Sequence, residues 1–232
     1  MKVAVIPARI GSKRILKKNI KNFCGKPMIA WAIDIAKQTK LFDHVIVSTD
    51  CDEITKIANK YGAETPFKRP KNLSDDITPT LPVIVHSIKQ LLEMGWDVKD
   101  VCCIYPCTPF IQAEDIQDAF NILAINNNKF VYPVAEYAHP IQRAMRMKDN
   151  KKLEFISNKN ETARTQDLET LYHDTGQFYW GSAETWINSN LLHSNGMGLK
   201  VPNWRVVDID NNDDWIRAEL LVQLVKDFKA KK

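Results

Sequence analysis

No stretch of this 232-residue sequence approaches the roughly 18 to 20 consecutive apolar residues that a bilayer-spanning helix requires. The first strand-like run, Val3 to Ile6, starts almost at Met1 and has no signal-peptide hydrophobic region, so a cytoplasmic protein with no membrane partner is expected. Cysteine is sparse. The five thiols (Cys24, Cys51, Cys102, Cys103, Cys107) are odd in number and show no C-x-x-C spacing, which argues against a disulfide framework and against zinc. Small buried side chains in a reducing compartment explain them. The glycine-rich fingerprints are missing as well: the loop after the first strand holds Gly11 alone, so it is neither G-x-G-x-x-G nor a Walker P-loop.

Also missing is any acid before Asp34, although residues 1 to 33 carry eight basic side chains (Lys2, Arg9, Lys13, Arg14, Lys17, Lys18, Lys21, Lys26). Of the 32 basic residues, 24 remain to face all 28 acidic ones, so the rest of the chain is net negative. A nucleic-acid binder spreads its basic residues over a face or a helix, whereas here one local excess follows one strand. That pattern excludes a nucleic-acid partner and suits a compact polyanion such as a nucleoside triphosphate. With 44% apolar and 26% charged residues, a chain this long buries roughly 70 to 75% of its unfolded surface, enough for one domain over residues 1–232 without cross-links.

The order of elements reads as strand and helix in alternation. Val3 to Ile6 is followed by a long basic loop and a helix opened by Pro27. Val45 to Val47 leads into a helix from Asp52 to Tyr61 closed by Gly62, and Leu81 to Met94 is a helix stopped by Gly95. Val101 to Tyr105 is the uninterrupted apolar run of a central parallel strand, and Glu114 to Ile125 a helix. The fold class expected is therefore α/β, a doubly wound, mostly parallel, Rossmann-like sheet with its ligand beyond the carboxyl ends of the strands. After Phe130 the rhythm changes. Strands at 130–136, 144–148 and 177–180 lack clear crossover helices, which predicts an antiparallel insertion, with 138–180 as an inserted dimerisation or substrate segment. A strand at 205–209, a terminal helix at 213–228 and a frayed basic tail at 226–232 complete the reading.

Three groups of residues carry chemistry. Arg9, Ser12, Lys13 and Lys18 follow the first strand and are placed to make charge-assisted hydrogen bonds to phosphates, each worth roughly 1.5 to 3 kcal/mol. Asp208 and Asp210 alternate, so their carboxylates converge, which is costly unless a divalent cation neutralises them; hard oxygen ligands suggest Mg2+ completed by a substrate phosphate. The competing reading has one of the two capping the following helix. Asp50 ends the second strand on the same edge, while Arg69-Pro70 and Ser74-Asp75-Asp76 suit base or ribose contacts and turn formation equally. Arg143, Arg164 and His173 lie in the irregular part, where arginines could grip a carboxylate substrate. Phe178-Tyr179-Trp180 reads more readily as core or interface packing than as a cofactor box.

Ile6-Pro7-Ala8-Arg9-Ile10-Gly11-Ser12-Lys13 resembles the opening I-P-A-R-x-G-S-K of the cytidylyltransferases that activate nonulosonic acids. Lys18-Asn19, Ile46 to Asp50, Arg69-Pro70, Leu73 to Asp75, Tyr105 to Pro109 and Val207 to Trp215 extend the likeness over almost the whole chain. Within that family the Tyr105 loop, Pro140 to Ala144, Thr165 to Glu169 and Tyr172 to Trp180 are most similar to the pseudaminic acid branch. Sialate-activating members commonly have Gln at the place of Tyr105 and Arg-Pro-Asn-Gly at that of His173 to Gly176. Ile10 stands where the family usually has Gly; a β-branched residue resists positive φ, so the loop must take a conformation that Ile can adopt.

The resemblance implies attack of a nine-carbon sugar acid on CTP, giving a CMP-sugar and diphosphate. It assigns Arg9, Ser12, Lys13 and Lys18 to the triphosphate, Asp208 and Asp210 to Mg2+, and Arg69 with Asp50 to the cytidine. Arg164 falls to the sugar or a phosphate, and Tyr105, Gln142, Arg143, His173, Gln177 and Tyr179 to the sugar pocket. It also implies a homodimer. Alternatives are CMP-activation of sialic or legionaminic acid, a metal-dependent glycosyltransferase built on the Asp-x-Asp pair, and a non-catalytic nucleotide-binding module.

Overall fold

Strand β1 (Lys2–Pro7) is apolar at every interior position because it is covered on both faces. Its side chains alternate between two cores: Ala4 and Ile6 join one, Val3 and Val5 the other. The computed structural model describes residues 1–126, 129–157, 161–193 and 195–230, with side chains as far as residue 225.

In chain order the elements after β1 are β2 (Asn22–Phe23), β3 (Lys26–Pro27), α1 (Met28–Gln38), β4 (His44–Ser48), α2 (Asp52–Lys60), α3 (Thr80–Glu93), β5 (Asp100–Ile104) and α4 (Ala113–Ile125). There follow β6 (Phe130–Glu136), β7 (Met145–Met147), β8 (Leu153–Phe155), β9 (Tyr172–Asp174), β10 (Phe178–Ser182), α5 (Ala183–Asn188), β11 (Gly196–Lys200) and α6 (Asn212–Ala230). Seven strands form one mixed sheet in the order β11-β6-β10-β5-β1-β4, with β9 also paired to β6. Helices α1, α2 and α4 cover one face, and α3 and α5 the other. The chain leaves β1 for β4 on one side and returns to β5 on the other, so a crevice opens beyond the carboxyl end of β1.

The expected α/β class holds, and the antiparallel part belongs to the sheet itself. β10 runs antiparallel between β5 and β6, and β9 is antiparallel to β6, while β11 returns parallel to β6. The segment expected as an insertion at 138–180 is accordingly shorter: Tyr172–Asp174 and Phe178–Ser182 are strands of the main sheet, and only the stretch before them, with the β7–β8 hairpin, stands outside it.

The strand expected at 205–209 is also corrected. Asn203–Arg205 is a single 3-10 turn, and the residues after it are extended without a sheet partner. Their alternating burial comes instead from Val207 and Ile209 packing on Ile15, Phe23, Met28, Phe110 and Trp215. The unforeseen strand β11 hides behind two glycines. A Cβ on Gly196 would lie 2.4 Å from the Tyr132 ring, and one on Gly198 2.8 Å from Val134, so the close approach of β6 requires residues of low strand propensity. All five cysteines are free, with Cys102 and Cys103 buried in β5. Among the described residues no helix is long and apolar enough to cross a membrane. Helix α6 runs to Ala230, and the remainder of the expected basic tail lies outside the described residues.

Candidate functional site

The loop after β1 is tied down before it can present charge. Ala8 donates its amide to Ser48 of β4 at 2.9 Å, and the Asn19 side chain donates to the Arg9 carbonyl at 2.8 Å, closing the loop on itself. Within 9–18 the left-handed position falls on Lys17 (φ 52°), so Ile10 avoids the conformation a β-branched residue resists.

This loop forms one wall of a cavity of about 600 Å³, whose lining includes Arg9, Ser12, Lys13, Arg14, Lys18, Arg69, Tyr105, Asp208 and Asp210. The basic group and the acidic pair, about 190 residues apart in sequence, thus share one space. Asp76, also in the lining, pairs with both Arg9 and Lys13, and these two cations hold its carboxyl below the usual range. Lys18 donates to the Ile209 carbonyl at 2.6 Å and stands 3.5 Å from Asp210, which Arg14 meets at 2.9 Å.

The acidic pair is free to face the cavity because another residue does the capping. Asn211 Oδ1 accepts from the amides of Asp213 and Asp214 at 2.8 and 3.0 Å, and Asp214 in turn accepts from the amides of Asp210 and Asn211. Neither Asp208 nor Asp210 is spent on α6. Burial, then the neighbouring Asp210 charge, pushes the Asp208 carboxyl up, against the opposing pull of Lys18 and Arg14.

The whole acidic segment is anchored from behind. Arg205, 8% exposed, makes a bidentate pair with Asp115 at the start of α4, and its carbonyl accepts from Gln177 Nε2 at 2.9 Å. Sequence reading missed Arg205 as an anchor, because its partner lies 90 residues away. Arg14 and Asp76 were also missed as partners of the named charges. Their place beside the motif residues was the available signal.

Arg69 lines the cavity while only 4% exposed, and its Nε and Nη2 have no partner among the described residues. Burial lowers its pKa and Asp50 opposes that shift. Asp50 is not part of the cavity lining but stands beside Arg69; its Oδ1, Ser48 Oγ and His86 Nδ1 are likewise buried without partners. Of these residues only Arg69 itself lines the cavity. At the opposite wall Cys107 donates its thiol to Asn19 Oδ1, and burial pushes that thiol up to about 12, which disqualifies it as a nucleophile near neutral pH.

Of the expected sugar-pocket residues, only Tyr105 lines the cavity. Gln177 is corrected to an internal tie, since its side chain is buried on the Arg205 carbonyl. Tyr179 is corrected to core: it is 3% exposed between the Tyr105 and Tyr132 rings, as the bare reading of Phe178-Tyr179-Trp180 expected. Gln142, Arg143 and Arg164 sit outside the main sheet and engage one another's neighbourhood, through the Glu169 carbonyl, Thr165 and Asp167. His173 stacks near Tyr137 and faces the Asp174 carbonyl. Within a single chain these four do not reach the cavity lining.

A family model described as cytidylyltransferase matches residues 3–210. Pseudaminic acid cytidylyltransferase of Campylobacter jejuni is 37% identical over 225 residues, covering 96% of each chain. The CMP-N,N'-diacetyllegionaminic acid synthase of Legionella pneumophila is 28% identical over 230 residues, again 96% of each. Among solved structures, CMP:2-keto-3-deoxy-manno-octonic acid synthetase complexed with CTP superposes with a TM-score of 0.71 at 16% identity, over 96% of this chain and 98% of that one. At that identity the likeness speaks for the fold.

Proposed function

Since the chain belongs to the cytidylyltransferase family, we propose that it activates pseudaminic acid, a nine-carbon sugar acid, with CTP. The observation that carries this reading is the shared cavity, in which Arg9, Ser12, Lys13 and Lys18 face Asp208 and Asp210. The identity over full length to the Campylobacter relative supports the choice of sugar.

In this reading the anomeric hydroxyl oxygen attacks the α-phosphorus of CTP, the bond from that phosphorus to the α,β-bridging oxygen breaks, diphosphate leaves and the hydroxyl proton passes to solvent. Phosphoryl transfer of this kind depends on positioning and charge neutralisation. Arg9, Lys13 and Lys18 supply the cationic cradle and Ser12 a hydroxyl donor. Asp76, which holds Arg9 and Lys13 in place, gives way to phosphate oxygens that carry more charge. Arg69 serves the cytidine, with the Asp50 charge nearby favouring its protonated form. Tyr105 forms the sugar side.

Asp208 and Asp210 fit Mg2+. The two carboxylates, with Asp208 pushed up by burial and then by the Asp210 charge, would supply the protein's oxygen ligands to the ion, and substrate phosphates would supply others. Among the described residues no group of three or more His, Cys, Asp or Glu side chains gathers as a metal site, so the pair would hold the ion only together with its substrate. The ion would neutralise charge on the triphosphate, while Lys18 and Arg14 set the orientation of Asp210. The protein is proposed to act in the cytoplasm, where CTP is available, and as a homodimer in which the stretch around Gln142, Arg143 and Arg164 reaches the partner's cavity. The exposed Met145, Met147, Leu153 and Ile156 of its hairpin support such a contact.

The test is diphosphate release from CTP, Mg2+ and a panel of nonulosonic acids. Release with pseudaminic acid is expected. A preference for sialic or legionaminic acid would move the specificity; liberation of a nucleotide from a finished sugar nucleotide, without diphosphate, would replace the reading by the glycosyltransferase alternative; CTP binding with no turnover of any acid would leave a binding module.

A further inference from the structure

One carboxylate outside the phosphate end of the cavity gathers more partners than its position requires. Asp174, at the end of β9, accepts on Oδ1 from the Gly176 amide at 2.9 Å. On Oδ2 it accepts from the Tyr179 hydroxyl and meets His193 Nε2 at 2.7 Å. Its side chain is 24% exposed and that of His193 is 57% exposed, so the group runs from the sheet to the surface.

Two of these connections end on the cavity wall. Gly176 lines the cavity in a left-handed conformation (φ 62°), and the Asp174 acceptor fixes the turn that puts it there. Tyr179 packs edge to face on Tyr105, with ring centroids 5.6 Å apart. Tyr105 lines the cavity and shares a hydrogen bond with Thr80, another lining residue. Its backbone amide also donates to Gln177 at 2.9 Å, so the Tyr105 and Gly176 loops are joined. Burial raises both phenols well above their ordinary range, which keeps both hydroxyls protonated. Tyr179 therefore has one proton, committed to Asp174.

We infer that Asp174 is a positioning residue for the sugar-acid wall, orienting Tyr105 through Tyr179 and holding the Gly176 turn directly. The inference rests on the sugar-acid reading of this cavity. Asp174 and Tyr179 make no hydrogen bond or ion pair described above with residues 9–18, so the larger effect is expected on the sugar acid.

Asp174→Asn keeps the shape but turns an amide donor toward a donor, either the Gly176 amide or the Tyr179 hydroxyl. With the full-length protein, CTP and pseudaminic acid, KM for the sugar acid is expected to rise about tenfold or more while KM for CTP stays within about twofold. Tyr179→Phe, which removes one hydroxyl, changes the same KM in the same direction by less and serves if Asp174→Asn does not fold. Equal changes in both KM values, or none, would overturn the inference. A second readout needs no turnover. In ligand-free protein labelled with 13C-tyrosine, the Tyr105 ring resonance, assigned by its loss in Tyr105→Phe, shifts in both variants. An unmoved resonance would refute the coupling even if no sugar acid is accepted, and absence of turnover by the wild type with every acid would refute the functional reading alone.

Discussion

Residues before 126 place their functional side chains by short steps from strand ends, whereas residues after 129 place theirs by long-range ties. Arg9 comes two residues after β1, Asp50 two after β4 and Tyr105 one after β5. In a parallel sheet those ends lie along one edge, which brings Arg9 and Tyr105 into one cavity lining and Asp50 beside Arg69. Asp208 and Asp210 have no strand beneath them. They are held by Arg205 on Asp115, by Gln177 on Arg205 and by Lys18 on Ile209. The first region shows that a repeated local unit suffices to aim charges; the second shows that an irregular segment can be as well aimed when buried polar ties replace the ladder.

The sharpest way to break that contrast is at Arg205. Arg205→Leu leaves Asp115 buried and unpaired and is expected to cost about 3 to 5 kcal/mol in urea unfolding, with the additional change Asp115→Leu recovering much of it. A cost under about 1 kcal/mol would mean the acidic segment is held otherwise. Next in size is Asp210→Asn, expected to lower turnover about 100-fold, close to 2.8 kcal/mol, with little change in the unfolding midpoint. Retained diphosphate release in that variant would overturn the proposed metal role of Asp210. Gly198→Val tests the register of β11 on β6, since its Cβ would meet Val134; a loss of about 1 to 3 kcal/mol is expected. The smallest effect on stability belongs to the hairpin. Met145→Ser with Met147→Ser is expected to shift unfolding of the isolated chain by about 0.5 kcal/mol or less, while light scattering shows the mass falling toward 26.6 kDa if the hairpin joins two copies.

Much of the first region was legible. β1 and β5 read as buried strands because their apolar runs serve two cores at once, and the acid-free stretch before Asp34 read as a cationic loop, which lines the cavity. Tyr179 was read correctly from its neighbours and misassigned through the resemblance: the Phe178-Tyr179-Trp180 run belongs to a central strand, where a side chain packs against adjacent strands before it can reach a ligand. β11 was illegible because glycine at 196 and 198 carries no strand signal; the crowding that demands it comes from Tyr132 and Val134 on another strand. The segment 205–209 showed period-two burial, and period two marks extended chain whether or not a neighbour pairs with it.

Local chemistry along the chain was thus enough to specify the alternating α/β plan, the cationic loop and the paired acids, since each depends on residues within a few positions of one another. Folding alone settled which of those groups meet, and it made Asp115 and Gln177 the posts behind the paired acids. Hydrogen bonds between residues tens of positions apart leave no periodicity in a sequence. They exist only once the sheet has brought their donors and acceptors within about 3 Å.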